Sequence, residues 1–257
     1  MTTRRHLMRI TRLLILLMGM VMTVMCPVHA QHALQGQKAE PRLLAKWQAG
    51  ASVSADVLKS LGDGVSRCFK AEEISDSVFR KMQGKSYPQG CTVPRSELRY
   101  LKVLHWDIDG KVYQGEMVCN RLIADDLVDI FRQLYEAHYP IHRMVLIDDY
   151  DADDETSMQA NNSTCFCYRK VAGSTKLSKH AQGLAVDINP LYNPCEKRRA
   201  DGSRHVQPST ATAYCDRSKS FPYKIDRQDL CYRLFIAHGF RWGGAWKSVK
   251  DYQHFER

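Results

Sequence analysis

The clearest pattern in the chain begins after Leu98, where apolar and polar positions alternate with the period of a β-strand. Residues 100–108 and residues 112–118 each carry this alternation, and the turn-forming pair Asp109 and Gly110 lies between them. Two such runs joined by a short turn with glycine are typical of a β-hairpin. We therefore expect an antiparallel pair of strands at the start of the main folded unit.

Helical spacing of apolar residues follows the hairpin. Asn120 is a good N-cap residue, and the apolar residues after it recur every three or four positions until Pro140 ends the pattern. A second helix is predicted from about residue 226 to 238. Between the two helices, residues 144–147 indicate a buried strand, and the acidic residues 148–155 indicate a loop. The sequence thus mixes strands and helices within one unit.

Residues 183–190 combine a tight turn with a short strand. Apolar residues alternate here with small or polar ones, and Asp187 falls on the face away from the apolar side chains. Gly183 permits a sharp backbone turn after His180. The imidazole of His180 and the carboxylate of Asp187 are therefore expected to converge, although six residues lie between them.

The first 30 residues have the organisation of a secretory signal peptide. Four arginines accompany an apolar run over residues 13–25, and the residues before position 31 form a suitable cleavage site that ends at Ala30. The run is too short for a comfortable membrane span, and no later stretch contains the ~20 apolar residues that a span requires. We therefore expect an exported protein, periplasmic or extracellular, with no stable membrane insertion after cleavage.

Composition favours one folded unit of ordinary size. The chain has 257 residues and a formal charge of +9, and loss of residues 1–30, with four arginines and no acidic residue, leaves 227 residues and a charge of +5. That length is sufficient for a substantial core. No basic patch is interleaved with aromatic residues, so nucleic acid is not an expected partner. The protein is expected to be a monomer.

Eight cysteines remain after the leader is removed. An even number of cysteines in an exported chain suggests disulfides, and we expect Cys68 to pair with Cys91 and Cys195 to pair with Cys215. Each pair brackets a polar or turn-rich segment. A bridge that closes a loop of this size stabilises a fold by ~3 kcal/mol in the chain-entropy model. The alternative is that these cysteines are structural thiols.

Three residues have the chemistry of a metal site. His180, Asp187 and His254 offer two imidazoles and one carboxylate, which can hold one zinc ion per chain. Three protein ligands leave the fourth tetrahedral position to water, which is typical of a catalytic zinc site. Asp251 supplies a further carboxylate beside His254. An unbroken strand would point these two side chains to opposite faces, so a turn is expected at residues 252 and 253.

These residues belong to an ordered set of motifs. The pattern Ser-x-His-x-x-Gly-x-Ala-x-Asp begins at Ser178, the pattern Trp-Gly-Gly-x-Trp begins at Trp242, and an Asp-x-x-His pattern begins at Asp251. The set resembles the zinc peptidases that cut bacterial cell-wall stem peptides, namely the VanY-type D-alanyl-D-alanine carboxypeptidases and the L-alanyl-D-glutamate endopeptidases. The resemblance covers roughly residues 95–257, and several ordered matches are far more specific than one short motif.

The resemblance implies an α+β fold with a small, mostly antiparallel sheet, flanking helices and a zinc site in a cleft on the sheet, as in the hedgehog domain and the D,D-peptidases. Residues 1–30 are then a signal peptide, residues 31–95 a partly helical leading segment, and residues 96–257 the peptidase core. The implied activity is hydrolysis of amide bonds in peptidoglycan stem peptides, either between L-Ala and D-Glu or at terminal D-Ala. The alternative is a catalytically inactive, zinc-stabilised cell-wall binding module.

The resemblance also implies roles for single residues. Asp251 is the general base, and Arg169 stabilises the carbonyl oxygen or grips a substrate carboxylate. Ser178 orients the metal ligands or bonds the substrate, and a turn role is the alternative. Trp242 shapes the pocket rim through packing or contacts the substrate. Glu256 is a rival for the base, or else an exposed terminal charge.

The last residues of the chain carry a metal ligand, so they need an anchor. Phe255 follows His254 directly and is expected to bury its ring, because a terminal segment frays unless packing holds it. Glu256 and Arg257 are then expected to be largely dispensable.

Overall fold

The computed structural model describes residues 47–171, 174–199 and 201–257. These residues form short helices and small antiparallel sheets, so the predicted α+β class is confirmed. The expected signal peptide lies outside the described residues and stays a prediction. No helix in this part of the chain is long and apolar enough to cross a membrane.

The regular elements of the described residues are named here in chain order. The strands are β1 (Ser52–Val53), β2 (Lys70–Glu73), β3 (Leu98–Trp106), β4 (Val112–Asn120), β5 (Ala185–Asp187), β6 (Cys195–Arg198), β7 (Arg204–Gln207), β8 (Arg241–Trp242), β9 (Val249–Asp251) and β10 (His254–Glu256). The α-helices are α1 (Ala55–Leu61), α2 (Asp76–Met82), α3 (Ala124–Glu136), α4 (Asp154–Gln159) and α5 (Leu230–Ala237). Short 3-10 turns connect them, among them His180–Gln182 and Gly243–Ala245.

The largest sheet is built around the predicted hairpin. β3 and β4 pair along their whole length, beginning with Leu98 opposite Asn120. The carboxylate of Asp107 closes the turn by accepting hydrogen bonds from two backbone amides, at 2.8 and 3.0 Å. The hairpin is therefore confirmed, with β3 beginning and ending two residues earlier than predicted and β4 ending two residues later. β1 and β2 form the two edges of this sheet, so two strands from the segment before the hairpin pair with it.

The helix predicted after the hairpin is present as α3, and its apolar face packs on the sheet. Its buried residues, which include Leu127 and Phe131, belong to the same core cluster as residues of β3. The predicted start was wrong. Asn120 is still the last residue of β4, and its side chain accepts a hydrogen bond from the Leu122 amide at 3.0 Å, so the helix begins only at Ala124.

Residues 144–147 are buried, but the predicted strand was wrong, and Ile147 already begins a 3-10 helix. One strand-like hydrogen bond forms, from the Glu116 amide to the Met144 carbonyl at 2.9 Å. The next two amides donate to side chains instead: Val145 to Asn162 Oδ1 at 2.9 Å, and Leu146 to Glu116 Oε1 at 3.3 Å. Side-chain acceptors therefore replace the neighbouring strand that the apolar pattern had suggested.

Two helices begin at aspartate N-caps, and these starts differ from the predicted ones. The carboxylate of Asp229 accepts hydrogen bonds from two amides of the first turn of α5, so this helix begins later than residue 226. Asp153 caps α4 in the same way through the Thr156 amide at 2.8 Å. The acidic run at residues 148–155, predicted as a loop, therefore contains a 3-10 turn and the start of a helix.

Two smaller sheets bring the end of the chain to the motif around His180. In the first, β10 lies between β5 and β8, and His254 stands opposite Asp187. In the second, β6 lies between β7 and β9, and Cys195 stands opposite Asp251. The chain bends at residues 252 and 253 as it passes from one sheet to the other, which confirms the expected turn.

The expected disulfides are not formed. Cys68 is buried in the main core, whereas Cys91 packs against a separate apolar cluster, so the two cysteines lie in different environments. The Cys215 thiol interacts with Glu196, whose side chain leaves β6 on the face opposite to that of Cys195. No disulfide joins either predicted pair among the described residues, so the pairing is corrected and the alternative of structural thiols stands.

Candidate metal centre and catalytic residues

His180 is fixed by local hydrogen bonds before any metal is considered. The Ser178 hydroxyl accepts a hydrogen bond from the His180 amide at 3.2 Å, which supports the turn role of Ser178, while its contact with metal ligands or substrate stays a prediction. His180 Nδ1 lies 2.7 Å from the carbonyl oxygen of Cys165, so this nitrogen carries the proton. The lone pair of Nε2 is then directed toward Asp187 and His254.

The other two candidate ligands face each other across a strand pair. Because His254 stands opposite Asp187 in the β5–β10 register, both side chains leave the same face of that sheet. His254 Nδ1 lies 3.0 Å from Asp187 Oδ1, and His180 Nε2 lies 3.2 Å from Asp187 Oδ2. The two histidine nitrogens are 3.2 Å apart. All three residues are at most 9% exposed.

These three residues form a compact group of potential metal ligands, with one donor atom from each residue and all of these atoms within 4.8 Å of one another. The sequence-predicted ligand set is therefore brought together. The turn between His180 and Asp187 contains Gly183, whose φ of +67 is a left-handed conformation that favours glycine. A Cβ at this position would lie 2.7 Å from the Asn120 amide nitrogen, so a larger residue would not fit.

The carboxylate of Asp187 stabilises positive charge on the histidines beside it. Burial alone would raise the pKa of Asp187, but the charge and hydrogen bonds of His180 and His254 lower it below its ordinary value. Burial alone would lower the pKa of His254, yet Asp187 and Glu256 raise it to about 10. A cation is thus stabilised at this point of the protein.

Glu256 supports His254. Its carboxylate lies 3.4 Å from His254 Nε2 and 2.7 Å from an Arg241 nitrogen, and the side chain is 14% exposed. The expectation of an exposed terminal charge was therefore wrong. A proton on Nε2, held by Glu256, leaves Nδ1 available as a ligand.

The last residue is also tied to the fold. The Arg257 amide bonds the Leu184 carbonyl at 3.0 Å, and its guanidinium pairs with Asp126 at 2.6 Å. The expectation that the last two residues would be dispensable is therefore revised. Phe255 is fully buried and stacks on Phe235 at 4.3 Å between ring centroids, which confirms the predicted anchor.

Asp251 lies close to the ligand group. Its carboxyl group interacts electrostatically with His254, Asp187 and His180, and with the thiol of Cys195. Asp251 Oδ1 is buried, and no described residue donates a hydrogen bond to it. Burial raises the pKa of this carboxyl group above its ordinary value. Such an oxygen is available to take a proton from a bound molecule.

The Trp-Gly-Gly-x-Trp segment explains how Asp251 and His254 can lie side by side. A Cβ at Gly243 would lie 2.7 Å from the Asp251 carbonyl oxygen and 3.3 Å from the His254 Cβ, so only glycine leaves room for this approach. Trp242 is 7% exposed, and its indole N–H donates to the Tyr252 carbonyl at 2.9 Å, within the bend. This geometry accounts for a packing role of Trp242, and substrate contact stays a prediction. Trp246 lies 5.2 Å from His254 between ring centroids.

Arg169 forms an ion pair with Asp154, in the first turn of α4. Both side chains are about one-third exposed and interact electrostatically with Asp187, so they border the ligand group. Sequence reasoning missed Asp154, because it had placed this residue in an acidic loop. The signal available was Asp153 one residue earlier, which is a good N-cap and would have indicated a helix start here.

Comparison with known protein families matched one part of the chain. The profile of a family described as D-alanyl-D-alanine carboxypeptidase matches residues 172–257. This segment holds all three candidate ligands and Asp251, whereas Arg169 and Asp154 precede it. The resemblance found in the sequence, which extended over roughly residues 95–257, is thereby confirmed over residues 172–257, and the match supports a hydrolase of the peptidase class that acts on peptidoglycan. Searches of curated proteins and of solved structures gave no match.

Proposed function

We propose that the protein is an exported zinc peptidase that hydrolyses amide bonds in peptidoglycan stem peptides, either between L-Ala and D-Glu or at terminal D-Ala. The observation that carries this proposal is the convergence of His180, Asp187 and His254 beside the carboxylate of Asp251. The family match over residues 172–257 supports the peptidase class.

The donor set suits zinc in its chemistry and in its dimensions. Zinc accepts imidazole nitrogen and carboxylate oxygen as ligands, with bonds of about 2.0–2.2 Å in a tetrahedral arrangement. Two such bonds at the tetrahedral angle separate their ligand atoms by about 3.3 Å. The 3.2 Å between His180 Nε2 and His254 Nδ1 is close to that value, and these two nitrogens lie 3.2 and 3.0 Å from the two different oxygens of Asp187. His180, Asp187 and His254 would hold the ion and leave one position for water.

The proposed chemistry divides between the metal and Asp251. When bound, zinc polarises a carbonyl oxygen and activates water for attack on the carbonyl carbon. Hydrolysis also needs a group that takes a proton from the attacking water and delivers one to the leaving amine nitrogen. Asp251 Oδ1 suits this task because it is buried without a hydrogen-bond donor from the described residues. The raised pKa of the carboxyl group favours its holding the proton between the two steps.

Arg169 is the proposed cation for the charge that develops on the carbonyl oxygen. A charged group held in position before the reaction stabilises that oxygen without reorganisation. The ion pair with Asp154 supports this role, because it restricts the guanidinium beside the ligand group.

Export is part of the proposal because peptidoglycan lies outside the cytoplasmic membrane. The support is the basic and apolar pattern of residues 1–30 with its cleavage site at Ala30. N-terminal sequencing of protein recovered from the periplasm or the medium tests it. A first residue other than Gln31 would contradict the proposed cleavage site.

An inactive zinc-stabilised binding module would need neither Asp251 nor Arg169. A buried carboxylate oxygen without a donor is costly to keep in a purely structural site, and so is a partly buried ion pair beside it. Both features are explained by a catalytic role.

Mass spectrometry of purified muropeptides tests the proposal directly. The protein is incubated with muropeptides with and without a chelator, and the mass lost from the substrate identifies the bond. We expect cleavage that stops with the chelator and returns with zinc. Asp251→Asn should keep its zinc and act at least ~100-fold more slowly, which is the low end for general acid–base catalysis. Cleavage that is unaffected by both changes would overturn the proposed function.

A further inference from the structure

The sheet that carries Asp251 presents a second feature beyond the metal centre. Residues directly opposite each other in antiparallel strands leave the same face, and residues two apart on one strand do so as well. Cys195 stands opposite Asp251, so Lys197 of β6 shares their face, as does His205 of β7, which stands opposite Lys197. We call this side of the sheet the Asp251 face; it also carries Val249, opposite Lys197, and ends at Arg199, one residue beyond β6.

Contacts support this assignment of faces. Arg199, which continues the alternation two residues after Lys197, lies 3.1 Å from His205 Nδ1 through its Nη2 atom. Glu196 and Arg204 belong to the opposite face by register, and they pair with each other at 3.4 Å. The two faces of this sheet therefore have separate sets of interactions.

The Asp251 face becomes more exposed to solvent along β6. Its inner end lies at the metal centre, and its outer end is exposed at Lys197 and Arg199. No described carboxylate forms an ion pair with either side chain, whereas Arg204 on the opposite face has Glu196 as a partner. Asp201, in the β6–β7 turn, interacts electrostatically with Arg199, and its carboxylate accepts a hydrogen bond from the Ser203 amide at 2.8 Å. Lys197 thus has no carboxylate partner among the described residues, and Arg199 adds a second exposed positive charge beside it.

The spacing of residues along β6 gives the distance between these cations and Asp251. Strand residues two apart are separated by roughly 7 Å, so the Lys197 backbone lies about that distance beyond Cys195 along the strand. A molecule that reaches from Asp251 to Lys197 must therefore extend over about two residues of peptide.

We propose that the outer end of the Asp251 face, formed by Lys197 and Arg199, binds a free carboxylate of an acidic peptide substrate, about two residues from the bond that is cleaved. This inference rests on the proposed function, because it adds substrate selection to the same site. The face distinguishes substrates by charge at a position that takes no part in the chemistry, so it acts chiefly on substrate binding.

The test uses two synthetic stem peptides with the same scissile bond, one with the distant carboxylate free and one with it amidated. The zinc-loaded full-length protein should prefer the free acid about 3- to 10-fold in kcat/KM, through KM, as expected for two exposed charge interactions. The double variant Lys197→Gln, Arg199→Gln should lose this preference and keep its rate on the amidated peptide. The preference of the wild type should also fall in 0.5 M salt, because exposed charges are screened.

Arg198→Gln is the matched control. Arg198 is exposed and has the same charge, but it stands on the opposite face of β6, opposite Arg204. This variant should keep the wild-type preference. Equal rates on the two peptides in the wild type, or an equal loss of preference in the control, would overturn the inference.

Failure of the proposed function gives a different result. If the protein cleaves neither peptide, calorimetric binding of the two peptides still tests the Asp251 face by itself. Tighter binding of the free acid, lost in the double variant, would support the inference without any catalysis. Equal binding of both peptides would overturn it.

Discussion

Gly243 provides a sensitive test of how the fold positions Asp251. Its φ is not in the left-handed region, so alanine fits the backbone, and the effect of Gly243→Ala must come from space alone. The new methyl carbon would lie 2.7 Å from the Asp251 carbonyl oxygen and 2.9 Å from the Asp251 Cβ. The His254 Cβ, at 3.3 Å, is less crowded. The substitution therefore acts first on the proposed base and less on the metal ligand.

The size of the effect follows from these distances. Ordinary contact begins at 3.4 Å, so the methyl carbon and the Asp251 carbonyl oxygen must separate by 0.7 Å. Overpacking of this kind costs about 1–3 kcal/mol of stability. A misplacement of 1 Å at a reacting group costs about 100-fold in rate, so kcat should fall by about 10- to 100-fold. Zinc content should stay near one per chain.

The assay combines three measurements on one preparation: kcat on a muropeptide, zinc by elemental analysis, and the midpoint of thermal unfolding. Gly110→Ala is the control, because Gly110 has φ +74 in the β3–β4 turn and a Cβ there would touch nothing within 4 Å. That variant should lose about 1 kcal/mol of stability and keep its activity per folded molecule. A Gly243→Ala protein that is folded and fully active would refute the link between this glycine and the position of Asp251.

Three further changes test neighbouring parts of the structure. Glu256→Gln weakens the interaction of the Glu256 carboxylate with His254 Nε2, so zinc should be lost to a chelator about 10-fold faster. An unchanged rate of zinc loss would contradict the role of Glu256 in supporting His254. Asp154→Asn releases Arg169 and should lower kcat with unchanged zinc content, and a normal kcat would show that the ion pair is unimportant. Burial raises the pKa of Asp229 to about 6, so its contribution to stability is present below about pH 4 and is lost as the pH rises through 6. Asp229→Asn removes this dependence and keeps an N-cap, so the variant should gain in melting temperature relative to the wild type between pH 4 and 6; a constant difference would contradict the assignment.

The local parts of the fold could be predicted from the sequence. The β3–β4 hairpin follows from period-two alternation and a turn with glycine, and α3 follows from helical spacing, because both patterns are set by near neighbours in the chain. The ligand group could also be predicted, since His180, Asp187 and His254 stand in motifs whose spacing is specific. The hairpin and the helix needed no knowledge of distant contacts, whereas the ligand group, in which His254 follows His180 by 74 residues, rested on the family resemblance of the motifs.

The remaining features depend on contacts between distant segments. Residues 144–147 carry the apolar pattern of a strand, but Asn162 and Glu116 supply side-chain acceptors that no local pattern reveals. Asp154 borders the ligand group through its ion pair with Arg169, and Glu256 is half-buried beside Arg241, which lies opposite it in β8. Each of these outcomes is fixed by tertiary packing.

The measurement that tests the central claim most directly is a zinc titration of the metal-free protein, with activity on muropeptides recorded at each addition. We expect activity to rise in proportion to added zinc and to level off at one zinc per chain. His180→Ala and His254→Ala should each bind less than one zinc and remain inactive, because water replaces an imidazole ligand poorly. Full activity without metal, or one tightly bound zinc in both variants, would contradict the assignment of His180, Asp187 and His254 as the catalytic metal site.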